Sequence, residues 1–249
     1  SNSPSQAYVD LAASFPADSK AHTPAGLAVR TGTTTDPIYL DFNSQLIAAS
    51  TDAAIVEIGE WVHISGAFAF QKGPKVKANI STPLGEVPGI DLDSITVGAR
   101  NVSAFVGVGG PYRIDTNHDL QWDSHDPINT SAQGFVIDDL DFGMTLLSAM
   151  PSVSNPAALP FEGTNFLGLK ATAEKIGFVG FGDDFKLELN KLEVDLNISN
   201  KAELAIVDFA SSFPADPAHH VSAGMPIRTG TTTQPVYLDF NGDFRIAAS

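Results

Sequence analysis

Hydrophobic and polar positions alternate along much of this chain. In "KLELNKLEVDLNIS" (Lys186–Ser199), Leu187, Leu189, Leu192, Val194, Leu196 and Ile198 keep a period of two, interrupted once. Successive side chains of an extended strand point to opposite faces, so this spacing predicts strands with one buried face. "WVHISGAFAF" (Trp61–Phe70) and "AFVGVGG" (Ala104–Gly110) read the same way, with small residues between large ones. Clusters of Gly, Pro, Asn and Asp at "KGPK", "TPLGEVPG" and "SNPAALP" end these runs and predict turns. Helical spacing is scarce. The strongest candidate is "FGMTLLSAM" (Phe142–Met150), stopped by Pro151, and the same stretch also suits a strand. The expected fold is all-β: an elongated antiparallel sheet or β-roll module of a tandem-repeat array, with at most one or two short helices.

A longer pattern overlies the alternation. "VDLAASFPADSKAHTPAGLAVRTGTTT" (Val9–Thr35) aligns without a gap on "VDFASSFPADPAHHVSAGMPIRTGTTT" (Val207–Thr233), with roughly two-thirds of positions identical. After a shared Asp-Phe-Asn the second copy carries one extra residue, and both copies then run to "IAAS". A passage written twice at this distance is the signature of a tandem repeat. The expected organisation is a junction segment over 1–50 that ends a preceding unit, a unit body over 51–206, and the junction again over 207–249. The copies should share one backbone conformation, with Phe15 and Phe213, and Tyr39 and Tyr237, buried in a neighbouring β-layer. A weaker rhythm places Phe68, Phe105, Phe142 and Phe178 about 37 residues apart. It predicts successive layers with each Phe inward, against the simpler reading that strands rich in Phe, Val and Gly resemble one another.

Composition narrows the possible partners. A net charge of −15 argues against nucleic acid and anionic membrane, both of which attract positive charge. A hydrophobic content of 43% over 249 residues is enough for a sizeable core, and no apolar run approaches the length of a membrane span. Cysteine is absent, so rigidity must come from packing or from metal ions rather than disulfides.

The stretch that points most clearly to chemistry is "YRIDTNHDLQWDSHDP" (Tyr112–Pro127). Counted from Asp115, oxygen-bearing side chains fall at positions 1, 3, 5, 7, 9 and 12: Asp115, Asn117, Asp119, Gln121, Asp123 and Asp126. This is the spacing of an EF-hand-type calcium loop, in which Gln121 would ligate through its backbone carbonyl. Leu120 stands where the sharp turn prefers Gly, and Asp126 is shorter than the usual bidentate Glu. The competing reading is a solvated Asp-rich turn. His118 and His125 would suit a transition metal, but hard oxygen ligands dominate the stretch. Asp138, Asp139 and Asp141, and Asp183 and Asp184, are further candidates, against the reading that they line the polar face of a strand. No nucleophile elbow, zincin motif, phosphate loop or cysteine nucleophile is present, so catalysis is not expected. His22 and His220, Asp18 and Asp216, and Arg30 and Arg228 are equivalent in the two copies. Their repetition points to repeated structure, with the arginines expected to pair a carboxylate at the seam.

A period near 198 residues, the absence of cysteine, the acidic balance and the "DTNHDLQWD" loop together resemble the tandem repeats of giant bacterial cell-surface proteins, the RTX-adhesin-like large repeat proteins. The resemblance implies a secreted, non-enzymatic stalk or extender module, stiffened by Ca²⁺ at the acidic loop residues, whose partners are neighbouring repeat units. Two other classes stay open at this level: lateral assembly into an extracellular filament or sheath, and a β-groove that holds lipid.

Overall fold

The computed structural model describes residues 8–150, 155–182, 187–201, 205–242 and 244–247. The chain divides into two units, Ser1–Ile47 and Ala48–Ser249. The first unit holds a four-residue helix, α1 (Leu11–Ser14), and a two-stranded antiparallel sheet of β1 (Leu27–Val29) and β2 (Ile38–Leu40).

The second unit is dominated by one antiparallel sheet, nine-stranded among the described residues. Its strands are β3 (Ile47–Ile58, which starts at the unit boundary), β4 (Val62–Lys72), β5 (Val76–Thr82), β6 (Gly85–Val108), β7 (Gln133–Ala149), β8 (Asn165–Val179), β9 (Glu188–Ser199), β10 (Ile206–Asp208) and β13 (Phe244–Ala247). The all-β expectation holds. The 24-residue β6 organises the sheet. On one edge it pairs with β5 through Gly85–Leu92 and with β4 through Ile95–Val106, while β7 runs along its other edge. The stretch Phe142–Ala149 lies inside β7, so the helix-or-strand ambiguity resolves to strand. Its Gly143, Thr145 and Leu147 alternate with less buried residues, and period two prevails. "NPAALP" forms a short 3-10 helix, Pro156–Phe161, capped by the Asn155 side chain. The remaining elements are the helix α2 (Phe209–Ser212), a 3-10 turn at Pro217–His219, and a two-stranded sheet of β11 (Met225–Ile227) and β12 (Val236–Leu238).

The 37-residue rhythm does not mark stacked layers. Phe68, Phe105, Phe142 and Phe178 lie on β4, β6, β7 and β8, which are consecutive neighbours in one sheet. Nor are all four inward: Phe105 is buried, and the other three are half-buried. Phe68, Ala99, Phe142 and Ala171 form one cross-strand row in which large and small residues alternate. Phe178 sits opposite Phe135 with ring centroids 5.4 Å apart, in a row that runs on through the exposed Val106 to Val62. The burial alternation also changes phase midway along the strands. In β7 the buried positions are even from Gly134 to Asp138 and odd from Gly143 to Ala149. The change coincides with Asn101 (φ 51°) and Asp139 (φ 54°) and with register shifts between β6 and β7, as expected of β-bulges. A fixed 37-residue count cannot keep one face through such a shift.

Two cores result. The larger joins Ile80, Ile90, Leu92, Leu147 and Phe166 of the sheet to Val207, Phe209, Ile227 and Leu238 of the second repeat copy. The smaller packs Phe105 and Val136 against Tyr112 and Ala132 of the long β6–β7 connection.

Candidate functional site

The repeated passage folds the same way in both places. Asp10 and Asp208 cap α1 and α2, their carboxylates accepting the N–H of Ala13 at 2.8 Å and of Ser211 at 2.9 Å. Such caps satisfy amides that a helix start leaves open. The N–H groups of Gly26 and Gly224 donate to the carbonyls of Phe15 and Phe213, both at 2.7 Å. Each glycine has positive φ, and a Cβ there would lie 2.6 Å from the Leu40 carbonyl oxygen or 2.5 Å from that of Leu238, so both positions require Gly. The strand pairs share a register, Leu27 opposite Leu40 and Met225 opposite Leu238. In each "TGTTT" turn the first and last Thr hydroxyls meet at 2.8 Å. His22 and His220 both occupy left-handed turns beside matching bridges, Asp18–Thr23 and Asp216–Val221. Their repetition is a repetition of turn geometry.

The second copy is built into its sheet. β10 extends the β5 edge, with Val207 opposite Ile80, and β13 extends the β9 edge, with Ile246 opposite Val194. Between these strands, α2 and the β11–β12 pair lie on a seat made of three strand glycines. A Cβ at Gly98 would fall 2.2 Å from the Arg228 carbonyl oxygen, one at Gly143 3.0 Å from Ile227 and Val236, and one at Gly168 2.6 Å from the Phe209 ring. Phe209, Ile227 and Leu238 are fully buried there, each contributing roughly 1.5–3 kcal/mol. The anchors therefore differ from those expected. Phe213 packs at the margin, and Tyr237 is half-buried because it alternates with Val236 and Leu238, the β12 residues that face the glycines.

Polar contacts fix the seat's orientation. Asn197, buried, donates its amide to the Val207 carbonyl at 2.7 Å, and Asn79 donates its backbone N–H to the Ser212 hydroxyl at 2.7 Å. Lys170 pairs with Asp239 at 2.8 Å and Arg245 with Asp195 at 2.8 Å. Among the described residues neither Arg30 nor Arg228 makes an ion pair. Arg228 instead presents its carbonyl to Gly98. Asp52 closes the far side. Its carboxylate accepts the backbone N–H of Thr231 and Thr232 and the Thr232 hydroxyl, the last two at 2.8 and 2.9 Å. The Thr232 N–H is the main cause that holds this carboxyl below its ordinary range. A Cβ at Gly230 would meet Asp52 Oδ1 at 2.6 Å, so a larger residue here would have to displace that carboxylate. The strand glycines carried a readable signal, because Gly inside a strand marks close approach of another backbone. Asp52 carried none.

In the first unit several counterparts of these buried groups are exposed. Val9 (matching Val207) is 66% exposed and Val29 (matching Ile227) 41%, while Leu11 and Leu40 (matching Phe209 and Leu238) are half-buried and Ile47 is as open as its match Ile246. Leu27, Ile38 and Phe42, which match Met225, Val236 and Phe240, are exposed as well.

The acidic loop is the second candidate. Asp115 accepts the N–H groups of His118, Asp119 and Leu120 at 2.6, 3.3 and 3.1 Å. Asn117 accepts the Asp119 N–H at 3.1 Å, and Asp119 accepts the Gln121 N–H at 2.9 Å. Leu120 takes φ 66°, the left-handed conformation that the sixth position demands, with its side chain in solvent. Asp126 is buried and ties the loop ends together, accepting the Thr116 N–H at 3.1 Å and the Asp123 N–H at 3.4 Å. Burial opposes ionisation of Asp123, yet the N–H and ring of His125 hold its carboxyl below the usual range. Among the described residues, no three His, Asp or Glu side chains gather as a metal site. Trp122 anchors the loop: it is buried against His63, and its own backbone N–H donates to the Ser65 hydroxyl at 2.9 Å. Arg113 anchors it as well, forming a buried pair with Asp138 at 2.6 Å.

The other carboxylates separate. Asp138 belongs to Arg113, and Asp141 pairs with Arg100 at 3.0 Å and accepts the Asn101 N–H at 2.8 Å. Asp139 has its carboxyl pushed up, by burial first and then by Asp141, Glu174 and Asp138. It lines a cleft with Asn101, Trp122, Asp123 and Glu174. Asp183 and Asp184 lie outside the described residues.

Comparison of the chain with protein-family models, curated proteins and solved structures gives no match to any of them. The resemblance to giant surface-protein repeats therefore rests on the sequence.

Proposed function

We propose that this chain is a structural repeat module of a large secreted or cell-surface bacterial protein, acting as a stalk or extender rather than as an enzyme. One observation carries this reading. The same passage takes the same fold twice, and its second copy completes the sheet of its own unit along two edges and across one face. A module closed by a segment that recurs elsewhere in the chain is suited to serial repetition, as in solenoid arrays. The cysteine-free, acidic composition suits export without disulfides. The test is a chain lengthened by appending residues 51–249 after Ser249, once and then twice. Small-angle scattering should show a constant gain in maximum dimension per added unit with an unchanged cross-section. A gain that shrinks with each unit, as in flexibly linked beads, would reject the stalk.

Calcium stiffening belongs to the same proposal. The loop supplies the donors a hard cation needs: Asp115, Asn117, Asp119, the Gln121 carbonyl, Asp123 and Asp126. What supports it is the spacing and the left-handed turn at Leu120. Filling the site at a hundredfold excess over Kd would stabilise the unit by about 2.7 kcal/mol. For a unit of this size that raises Tm by about 5–10 °C. Thermal melts of wild type and Asp119→Ala, each with calcium and with chelator, check this. Equal Tm for wild type in both conditions would leave the loop a solvated turn.

A further inference from the structure

We propose that the first copy of the passage matches the seat that residues 206–247 fill in their own unit, and that it docks there on the sheet of a second copy of this chain when that seat is vacant. The inference rests on the repeat-module reading and names the partner surface. It follows from equivalence. A face with this backbone already has a known complement, because the second copy shows what it packs against: the edges of β5 and β9 and the strand glycines Gly98, Gly143 and Gly168.

Most substitutions between the copies preserve the fit, and one does not: Leu46 stands where Arg245 pairs with Asp195. Phe209, Met225, Ile227, Val236 and Leu238 become Leu11, Leu27, Val29, Ile38 and Leu40, all apolar and of equal or similar volume. Asp239, which pairs with Lys170, becomes Asp41, and Thr231 and Thr232, which meet Asp52, become Thr33 and Thr34. The carbonyl that Asn197 recognises moves from Val207 to Val9. Backbone pairing carries over with the register: Leu46, Ile47 and Ala48 take the places of Arg245, Ile246 and Ala247 opposite Asp195, Val194 and Glu193. Past Ala48 the same strand continues as β3 and pairs with β4 of its own unit. One strand would thus close the sheet of one copy and open the sheet of the next. The interface is heterologous, head to tail, so it propagates rather than closing into a symmetric dimer.

In the wild-type chain the seat is filled by its own second copy, so the test must vacate it. Phe209→Asp with Ile227→Asp places two carboxylates in the seat and releases residues 206–247. At equal concentration, light scattering after size exclusion should then give a ladder at multiples of 26.2 kDa that lengthens with concentration. Adding Leu11→Asp and Val29→Asp to the same chain should return it to the single-chain mass. Excess wild-type chain, which offers a first copy but no vacant seat, should shorten the ladder. A released variant that keeps the single-chain mass, or a ladder that survives the first-copy aspartates, would overturn the proposal. If the aspartates prevent folding, Phe209→Ala with Ile227→Ala loosens the same segment, and the same mass comparison decides. This outcome is separate from the scattering of lengthened chains, where the units are joined covalently and no vacant seat is needed.

Discussion

Phe209→Ala is expected to cost about 3–5 kcal/mol, whereas Leu11→Ala at the equivalent position leaves the main unfolding transition within about 0.5 kcal/mol. Phe209 is wholly buried, its ring 5.3 Å from that of Phe240 and in contact with the flat backbone at Gly168. Truncation removes the ring's burial and leaves a cavity that the sheet cannot close, because Gly168 has no side chain to move into it. Leu11 holds the same place in the same local fold, but it belongs to the other unit and is only half-buried. Chemical denaturation of both variants provides the measurement. A loss of less than 1 kcal/mol for Phe209→Ala would mean that the second copy is not part of the cooperative core.

The second large effect is expected at Arg113. Its guanidinium makes a two-pronged contact with Asp138, Nε at 3.1 Å and Nη2 at 2.6 Å, and its Nη1 donates to the Asp126 carbonyl at 3.0 Å. Asp138 is buried and Arg113 half-buried, with side-chain exposures of 10% and 14%. Arg113→Ala strands the Asp138 carboxylate in a low-dielectric setting beside Asp139, and breaking a buried pair this way costs about 3–5 kcal/mol. For a unit of this size the Tm should fall by about 10 °C. Replacing both partners together, Arg113→Met with Asp138→Leu, should recover much of the loss, since no unpaired charge then remains. A single variant that melts with the wild type would show the pair to be solvated.

These two sites differ in how far the sequence revealed them. Alternation in Lys186–Ser199 and in the Phe-rich runs was enough for the strands, since period two reflects strand geometry itself. It was not enough for the faces, because the bulges at Asn101 and Asp139 shift the phase through pairing between distant strands. The acidic loop was visible as a spacing. Where its carboxylates point was not, since Asp126 turns inward onto the Thr116 and Asp123 amides. Arg113 looked like any surface arginine until the β6–β7 connection folded back over Asp138.

The repeated passage separates the two kinds of information most cleanly. By itself the sequence determined the local fold of each copy: the Asp10 and Asp208 caps, the Gly26 and Gly224 turns and the Thr-hydroxyl contacts all link residues close along the chain. Such interactions travel with the segment, so two copies in two settings look alike. Only the tertiary structure decided which copy is buried. That choice rests on contacts between residues more than a hundred positions apart, Gly98 with Arg228 and Asp52 with Thr231 and Thr232. A segment cannot encode a seat that another part of the chain must supply, and so Ile227 is buried while Val29, in the same backbone, is exposed.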